Sequence, residues 1–463
     1  MATRDDIKDG KPRVEPLQPS RSSTSSISTF SFIPSISLPS MSSSTSATTL
    51  ALAGMLSLAA AMGIGRFAFT PLLPMMLADG VIDLPSASWL ASANYLGYLV
   101  GALLCTFQPW IWRRLPFLPL VSAATWVRAG LVATSLLTLG MALQLPALWP
   151  MLRFAAGVAS AFVFVFTSGW CLAQLAQRGA SALGGVMYAG PGAGIMLSGL
   201  LASGMVALHW TAAAGWLVFG LLASLLVAVV WRTFKPAAST ATAAPAKVPQ
   251  ATPADKDAAV MNAAGRNQML LLAFAYGLAG FGYIITATFL PVIARQALPG
   301  SAFLDMFWPL FGLGVITGAL LATRMPTGGD LRHLLAGSYV LQALGIGITV
   351  WSPTLAGFAF GSLLLGIPFT AITFFAMQEV RRLRPVNAAS YMGLLTAVYG
   401  VGQISGPPLV ALILTSGRSL SDGFALSLEI AAASLFFGAV LFVWISRAYP
   451  VYSTLQVARP PSG

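Results

Sequence analysis

The stretch LGYLVGALLCT at residues 96–106 recurs as LGVITGALLAT at residues 313–323, with seven of eleven positions identical. A second motif keeps the same separation of 217 residues: Gly63, Gly65, Leu73 and Pro74 recur as Gly280, Gly282, Leu290 and Pro291. Composition alone does not explain two motifs at one shared separation. The sequence therefore contains an internal repeat, which is typical of transporters built from duplicated six-helix halves.

Weaker matches extend the repeat. At a separation of 204 residues, Arg128, Leu137, Phe154 and Gly157 match Arg332, Leu341, Phe358 and Gly361. If this alignment holds, Arg128 lies at a helix end, as Arg332 does. At a separation of 208 residues, Gly185, Gly192 and Gly194 match Gly393, Gly400 and Gly402, although unrelated glycine-rich membrane helices also look alike.

The composition places the chain in a membrane. Of its 463 residues, 57% are hydrophobic and 8% are charged, whereas a soluble domain carries about 25% charged residues. An ordinary soluble enzyme, a disordered chain and a fibrous protein are therefore poor candidates. A helix needs about 20 apolar residues to cross a bilayer, and the sequence predicts twelve spans: 50–78, 88–110, 126–145, 148–172, 183–206, 211–231, 269–294, 303–323, 333–352, 354–378, 390–414 and 424–446.

The predicted spans fall into two groups of six. The predicted domains are a disordered cytoplasmic tail at 1–49, an N-terminal bundle at 50–231, a cytoplasmic linker at 232–267, a C-terminal bundle at 268–447 and a cytoplasmic tail at 448–463. Six crossings return the chain to its starting side, so the two halves share one orientation. The predicted fold class is an all-α membrane protein with twelve transmembrane helices in two six-helix repeats, the major facilitator fold.

The distribution of charge predicts the orientation. The formal net charge is +12, which in a soluble protein would suggest a nucleic-acid partner. Of the 25 Lys and Arg residues, 21 lie in segments on the side of the termini, two lie in loops on the opposite side, and Arg66 and Arg153 lie within spans. By the positive-inside rule, both termini and the linker are cytoplasmic, and no nucleic-acid partner is expected.

No enzyme chemistry can be assembled from the sequence. Cys105 and Cys171 lie in apolar runs without partners at metal-ligand spacing, so neither a disulfide framework nor a zinc site is predicted. His209 and His333 are isolated at span ends. We therefore expect no enzyme activity, no cofactor and no metal.

Three motifs resemble one branch of a known superfamily. These are GIGRFAFTPLLP at residues 63–74, GFGYIITATFLP at residues 280–291, and GLLT at residues 393–396 with GQISGP at residues 402–407. They resemble the YbfB/YjiJ branch of the major facilitator superfamily over about residues 50–446. The resemblance implies a secondary transporter of a small molecule in a bacterial cytoplasmic membrane, without a settled substrate. The loop at residues 108–114 lacks the acidic residue of the general superfamily pattern.

Arg66 is the strongest candidate site residue. It lies about 13 residues, or roughly 20 Å of helix, from the outer end of span 1, too far for its side chain to reach either surface unaided. A charge at this depth usually faces a polar cavity or a partner. Its guanidinium is suited to hold a carboxylate or another planar anion. Alternatively, Arg66 is structural and bonds carbonyl groups freed by nearby Gly and Pro residues. Arg153 is expected to be structural and to reach the outer surface.

Other candidates lie on helices that border the predicted cavity. The predicted substrate-binding residues, each of which also fits a packing role, are Tyr188, Tyr283, Thr286, Tyr399 and Gln403. Proton-coupled carriers often use a buried carboxylate, and the candidates for coupling are Asp305, Glu379 and Glu429.

Three functions fit these features. The leading prediction is a secondary active transporter that moves a small solute, an organic anion held by Arg66, by alternating access at a site bordered by spans 1, 4, 7 and 10. One alternative is an efflux pump for apolar or weakly polar compounds, in which Arg66 is structural. The other is a receptor of the same fold that does not transport. The expected partners are a small-molecule substrate, the lipid bilayer and a coupling proton, with the chain acting as a monomer.

Overall fold

A computed structural model describes residues 46–115, 121–180, 183–235, 263–301, 303–325, 329–384 and 388–450. Most of both predicted tails and of the predicted linker lies outside these residues, so the domain boundaries drawn from the sequence stay predictions.

Within the described residues, twelve helical segments are long and apolar enough to cross a bilayer, which confirms the predicted fold class. We number them spans 1 to 12: Ala47–Ala78 (span 1), Leu84–Arg114, Ala123–Leu143, Pro146–Gln177, Gly184–Ala207, Ala212–Val230, Ala263–Ala297 (span 7), Leu304–Ala322, Leu331–Trp351, Leu355–Leu383, Ala388–Thr415 and Leu420–Ala448 (span 12). We call the face at which span 1 begins and span 12 ends the terminal face, and the opposite face the far face.

Span 1 is broken in the middle of its length. An α-helix at Ala47–Leu58 continues as a π-helical segment at Ala59–Arg66, and a second α-helix covers Phe69–Ala78. Pro71 has no N–H to donate to the preceding turn, and the N–H of Thr70 donates to the carbonyl of Phe67 instead of that of Arg66. The carbonyl of Arg66 is therefore left to a partner outside span 1.

Each half contains an equivalent close contact between two of its own helices. A Cβ atom added at Gly194 on span 5 would lie 2.5 Å from the carbonyl oxygen of Ala59 on span 1. A Cβ atom at Gly402 on span 11 would lie 2.2 Å from the carbonyl oxygen of Gly277 on span 7. Small residues let membrane helices approach closely, so the equivalent pairs, 1 with 5 and 7 with 11, pack in the same way.

The structure corrects the predicted alignment of span 4 with span 10. A Cβ atom at Gly157 would lie 2.1 Å from the carbonyl oxygen of Asn94, and one at Gly366 would lie 2.3 Å from that of Phe311. Asn94 and Phe311 are 217 residues apart, so Gly366 is the counterpart of Gly157, at a separation of 209 residues. The predicted match with Gly361, at a separation of 204, is wrong because scattered identities in apolar helices do not fix an alignment.

The alignment of span 3 with span 9 agrees with the structure. Arg128 donates a hydrogen bond of 2.6 Å to the carbonyl of Trp231, just after span 6. Arg332 donates one of 2.7 Å to the carbonyl of Tyr449, just after span 12. Each arginine therefore satisfies a carbonyl at the end of the last helix of its own half.

The far face is closed between the two halves. Thr70 on span 1 donates a hydrogen bond of 2.6 Å to the carbonyl of Ala287 on span 7. The hydroxyl groups of Tyr95 on span 2 and Thr288 on span 7 lie 2.8 Å apart. Both contacts join the N-terminal half to the C-terminal half beyond Arg66, on the side of the far face.

Candidate substrate site

A small cavity lies where the two halves meet in the middle of the bundle. Its volume is about 40 Å³, which is room for a few water molecules at about 10–15 Å³ each. A larger solute therefore requires side chains of the wall to move. Spans 1, 2, 4, 5, 7, 10 and 11 supply the lining residues: Met62, Arg66, Phe67, Tyr98, Phe164, Tyr188, Pro191, Tyr276, Tyr283, Phe369, Thr370, Thr373, Thr396, Tyr399 and Gln403.

Arg66 is the charged residue of this wall. Its side chain is buried, and its guanidinium carbon lies 3.9 Å from the centre of the Tyr98 ring, which is a cation–π contact. Its Nη2 atom donates a hydrogen bond to Oε1 of Gln403, whereas its Nε atom has no partner. Among the residues that the structure describes, no Asp or Glu forms an ion pair with Arg66. The guanidinium charge is therefore buried without a counter-charge from those residues.

Gln403 continues this hydrogen-bond chain. Its Nε2 atom donates to the hydroxyl of Tyr283. Arg66 belongs to span 1, whereas Gln403 and Tyr283 belong to spans 11 and 7. The chain of hydrogen bonds therefore crosses from one half of the molecule to the other at the cavity.

Aromatic rings form the C-terminal wall. Tyr399 stacks on Tyr276 with ring centres 4.7 Å apart, and on Tyr283 with ring centres 5.8 Å apart. Phe369 meets Tyr283 edge to face at 4.7 Å. Flat aromatic faces beside a guanidinium suit a planar solute that carries a negative charge.

Arg153 takes the structural role that the sequence left open for Arg66. It donates to the carbonyls of Gly65 and Arg66, at 3.3 and 3.1 Å, where span 1 is broken. Its own carbonyl accepts a hydrogen bond of 2.8 Å from Asn94. Arg153 is 2% exposed, so the expectation that it reaches the outer surface is wrong. Its side chain turns inward because the broken helix offers it unpaired carbonyls.

The structure brings five of the six predicted binding residues together: Arg66, Tyr188, Tyr283, Tyr399 and Gln403 line the cavity. Thr286 differs. It is buried on span 7, its Oγ1 atom has no hydrogen-bond partner, and it does not line the cavity. Thr286 follows Tyr283 by three positions, and residues at this spacing on a helix face similar directions only approximately. The prediction that both side chains line the cavity therefore fails for Thr286.

The three candidate coupling carboxylates lie away from the cavity. Asp305 pairs with Arg295 near the far face. Glu379 is buried and accepts hydrogen bonds of 2.8 and 2.5 Å from Arg382. Glu429 lies on the exposed side of span 12. Among the described residues, none of the cavity-lining side chains is a carboxylate.

An ion-pair cluster links helix ends at the terminal face. Arg332 holds both carboxylate oxygens of Asp330, at 2.7 and 2.8 Å, and its Nε atom lies 3.9 Å from Glu379. Partial burial raises the pKa of Asp330, but the hydrogen bonds and charge of Arg332 outweigh that effect and leave the pKa below its ordinary value. The cluster therefore favours ionised Asp330 and fixes the start of span 9.

Sequence reasoning missed part of the cavity wall. Tyr98 and Phe369 contribute ring faces to it. Tyr98 falls within the repeated stretch at residues 96–106, where the glycines drew the interpretation toward helix packing. Only the position of spans 2 and 10 beside one cavity, which the sequence does not display, identifies these rings as parts of its wall.

A second, larger cleft opens at the far face. Its volume is about 630 Å³, and it lies beside the starts of spans 2 and 4, lined by Trp89, Trp149 and Asp83 among others. It belongs to the N-terminal half alone. The central cavity is the better candidate because it lies between the repeats, where transporters of this architecture bind their substrates.

Twelve membrane-spanning helices in two repeats around a cavity form the architecture of the major facilitator superfamily. A family model described as "Uncharacterised MFS-type transporter YbfB" matches residues 58–443. The chain belongs to this family, which confirms the resemblance seen in the sequence.

Comparison with solved structures gives the same fold. The nucleoside transporter NupG matches with a TM-score of 0.59 and 15% identity, over 86% of this chain and 98% of that chain. A point mutant of NupG matches with a TM-score of 0.63 and 15% identity, over 86% of this chain and 99% of that chain. At this identity the similarity shows the fold alone. No curated protein matches the sequence.

Proposed function

We propose that this transporter moves a small, planar organic anion by alternating access, with Arg66 holding the negative group. One observation carries the proposal: Arg66 is a buried guanidinium at the junction of the halves, with no acidic partner among the described residues. A buried charge is costly unless it is paired. A carboxylate on the solute supplies the missing partner, with the short, strong hydrogen bonds of a charge-assisted pair.

The aromatic wall supports a planar solute. Tyr399 and Phe369 place ring surfaces beside Arg66 and Gln403. A flat ring with a carboxylate at its edge would pack against the rings of this wall while its anionic end reaches Arg66. A solute with a flat ring and a carboxylate is an aromatic carboxylate, and we propose this class of substrate.

Counterflow into proteoliposomes tests the proposal, with benzoate and its neutral analogue benzamide as a matched pair of probes. Benzoate should exchange and benzamide should not, because benzamide has no charge for Arg66. Replacing Arg66 by Ala should weaken benzoate binding about 30-fold or more, which is the usual cost of truncating a buried charge pair. Arg66→Lys should retain part of the binding. Equal exchange of the two probes, or unchanged exchange in the Ala variant, would overturn the assignment.

A second candidate is export of weakly polar compounds, which the ring-lined wall favours. Uridine serves as a neutral heterocyclic probe for this case, since NupG, which has a similar fold, is a nucleoside transporter. Exchange of uridine or benzamide that survives Arg66→Ala would favour this function, with Arg66 as a packing residue.

We further propose that the transporter lies in the cytoplasmic membrane with its terminal face in the cytoplasm. The excess of Lys and Arg in the segments on that side supports this orientation.

Asp305 and Glu379 are held in ion pairs away from the cavity, so we assign them to structure and not to proton coupling. One chain supplies both walls of the cavity, which supports a monomeric carrier.

A further inference from the structure

We propose that Gln403 acts as a latch between the two halves, and that an anion arriving at Arg66 opens it. The inference rests on the proposed function. The hydrogen bond from Arg66 to Gln403 crosses the junction of the halves at the cavity, and Gln403 is held in turn by its hydrogen bond to Tyr283 within the C-terminal half. Gln403 is 1% exposed, so bulk water does not compete for these bonds.

The amide of Gln403 is a weak partner for a buried guanidinium. It offers Arg66 one neutral oxygen, and Nε of Arg66 stays without a partner. A carboxylate offers two charged oxygens, so it pairs with the guanidinium through opposite charge and two parallel hydrogen bonds. An incoming carboxylate therefore displaces the Gln403 oxygen from Arg66 and breaks the bond between the halves.

The latch is closed in the conformation in which the far face is closed. The contacts of Thr70 with Ala287 and of Tyr95 with Thr288 also join the halves nearer the far face than the cavity. The ring centre of Tyr95 lies 5.3 Å from the guanidinium carbon of Arg66, but neither of these two hydrogen bonds involves the guanidinium. A bound anion that pairs with Arg66 therefore acts most directly on Gln403, which accepts a hydrogen bond from the guanidinium. It weakens one of the contacts between the halves and shifts the population toward the far-open state.

The distance between the halves tests this latch directly. We would place spin labels at Leu208→Cys and Ser416→Cys, exposed positions just after spans 5 and 11 on the far face, with Cys105 and Cys171 replaced by Ala. Without ligand, the wild-type background should show the short distance. Gln403→Leu should raise the ratio of far-open to far-closed protein roughly tenfold to hundredfold, since it removes a hydrogen bond to a charged group.

Two further variants complete the experiment. Gln403→Glu gives Arg66 a permanent ion pair, so the short distance should persist even with saturating benzoate, and counterflow should be lost. Gln342→Leu is the matched control, because Gln342 is also 1% exposed but lies within the C-terminal half on span 9. Its distance distribution should equal that of the wild type.

Identical ligand-free distances in folded Gln403→Leu and wild-type protein would overturn the latch, whatever the solute. So would an equal shift in Gln342→Leu, which would indicate a general loss of packing. Failure of benzoate to bind the wild type would instead count against the proposed function. The ligand-free distances still decide the latch in that case.

Discussion

Arg153 shows how a single residue supports the site without lining it. It binds the carbonyls of Gly65 and Arg66, and so holds the break in span 1 that presents Arg66 to the cavity. Because these carbonyls lie in the middle of a membrane helix, water does not replace a lost donor there.

Replacing Arg153 by Met should therefore destabilise the protein. Each buried carbonyl left without a donor costs about 1–3 kcal/mol, so the melting temperature in detergent should fall clearly. Benzoate binding should weaken as well, because the backbone of Arg66 loses its anchor. Arg153→Lys, which keeps a charged donor without the planar fork, should recover part of both. A melting temperature unaffected by Arg153→Met would contradict the anchoring role.

At the scale of single residues, the sequence predicted the buried charge of Arg66 but not the side chains that surround it. The depth of Arg66 in an apolar span was enough to single it out. The sequence also predicted a binding role for Arg66 and a structural role for Arg153. It could not identify the partners of Arg153, because only the structure reveals which carbonyls of span 1 lack donors. Thr286 shows the limit of reasoning from one span, since the direction of a side chain depends on the neighbouring helices.

At the scale of elements, spans 1 and 5 are held together by glycine contacts. Gly194→Ala would place a Cβ atom 2.5 Å from the carbonyl oxygen of Ala59, and overpacking of this kind typically costs about 1–3 kcal/mol. We expect a lower melting temperature and slower counterflow. Gly204→Ala on the same helix is the control, because a Cβ atom there meets nothing within 4 Å. It should be neutral or stabilising by up to about 1 kcal/mol, since Ala favours helix. Equal effects of the two substitutions would contradict the close contact.

The ends of spans 9, 10 and 12 meet in the ion-pair cluster around Arg332. This cluster makes the stability of the protein depend on pH. The pKa of Asp330 is lowered in the folded protein, so its contribution is present above the unfolded pKa of about 3.9 and is lost as the pH falls through the lowered value. Asp330→Asn should melt at a lower temperature than the wild type at pH 7. The difference between the two melting temperatures should shrink as the pH falls below about 4 and should close only below the lowered pKa of Asp330. A difference that persists at acid pH would mean that the charge of Asp330 is not its source.

At the scale of the whole molecule, the fold was predictable because a bilayer allows few solutions. Twelve apolar segments and one repeated motif, at residues 96–106 and 313–323, were sufficient for the architecture. The detailed alignment of span 4 with span 10 was not predictable from the sequence. Gly157 and Gly366 are recognised as counterparts only because each approaches an equivalent point on the backbone of a neighbouring helix. The cavity wall was only partly predictable for the same reason: its members come from seven spans, and their common depth is a property of packing.

The charge distribution gives the last prediction. Gln177 lies at the terminal end of span 4 and Leu208 at the far end of span 5, both exposed. If the 21 Lys and Arg residues on the terminal side set the orientation, a cysteine at Leu208 reacts with a membrane-impermeant maleimide in intact bacterial cells. A cysteine at Gln177 reacts only after the membrane is opened. Both variants would carry Ala at Cys105 and Cys171. The reverse pattern would place the terminal face outside the cell and would overturn the orientation inferred from the charges.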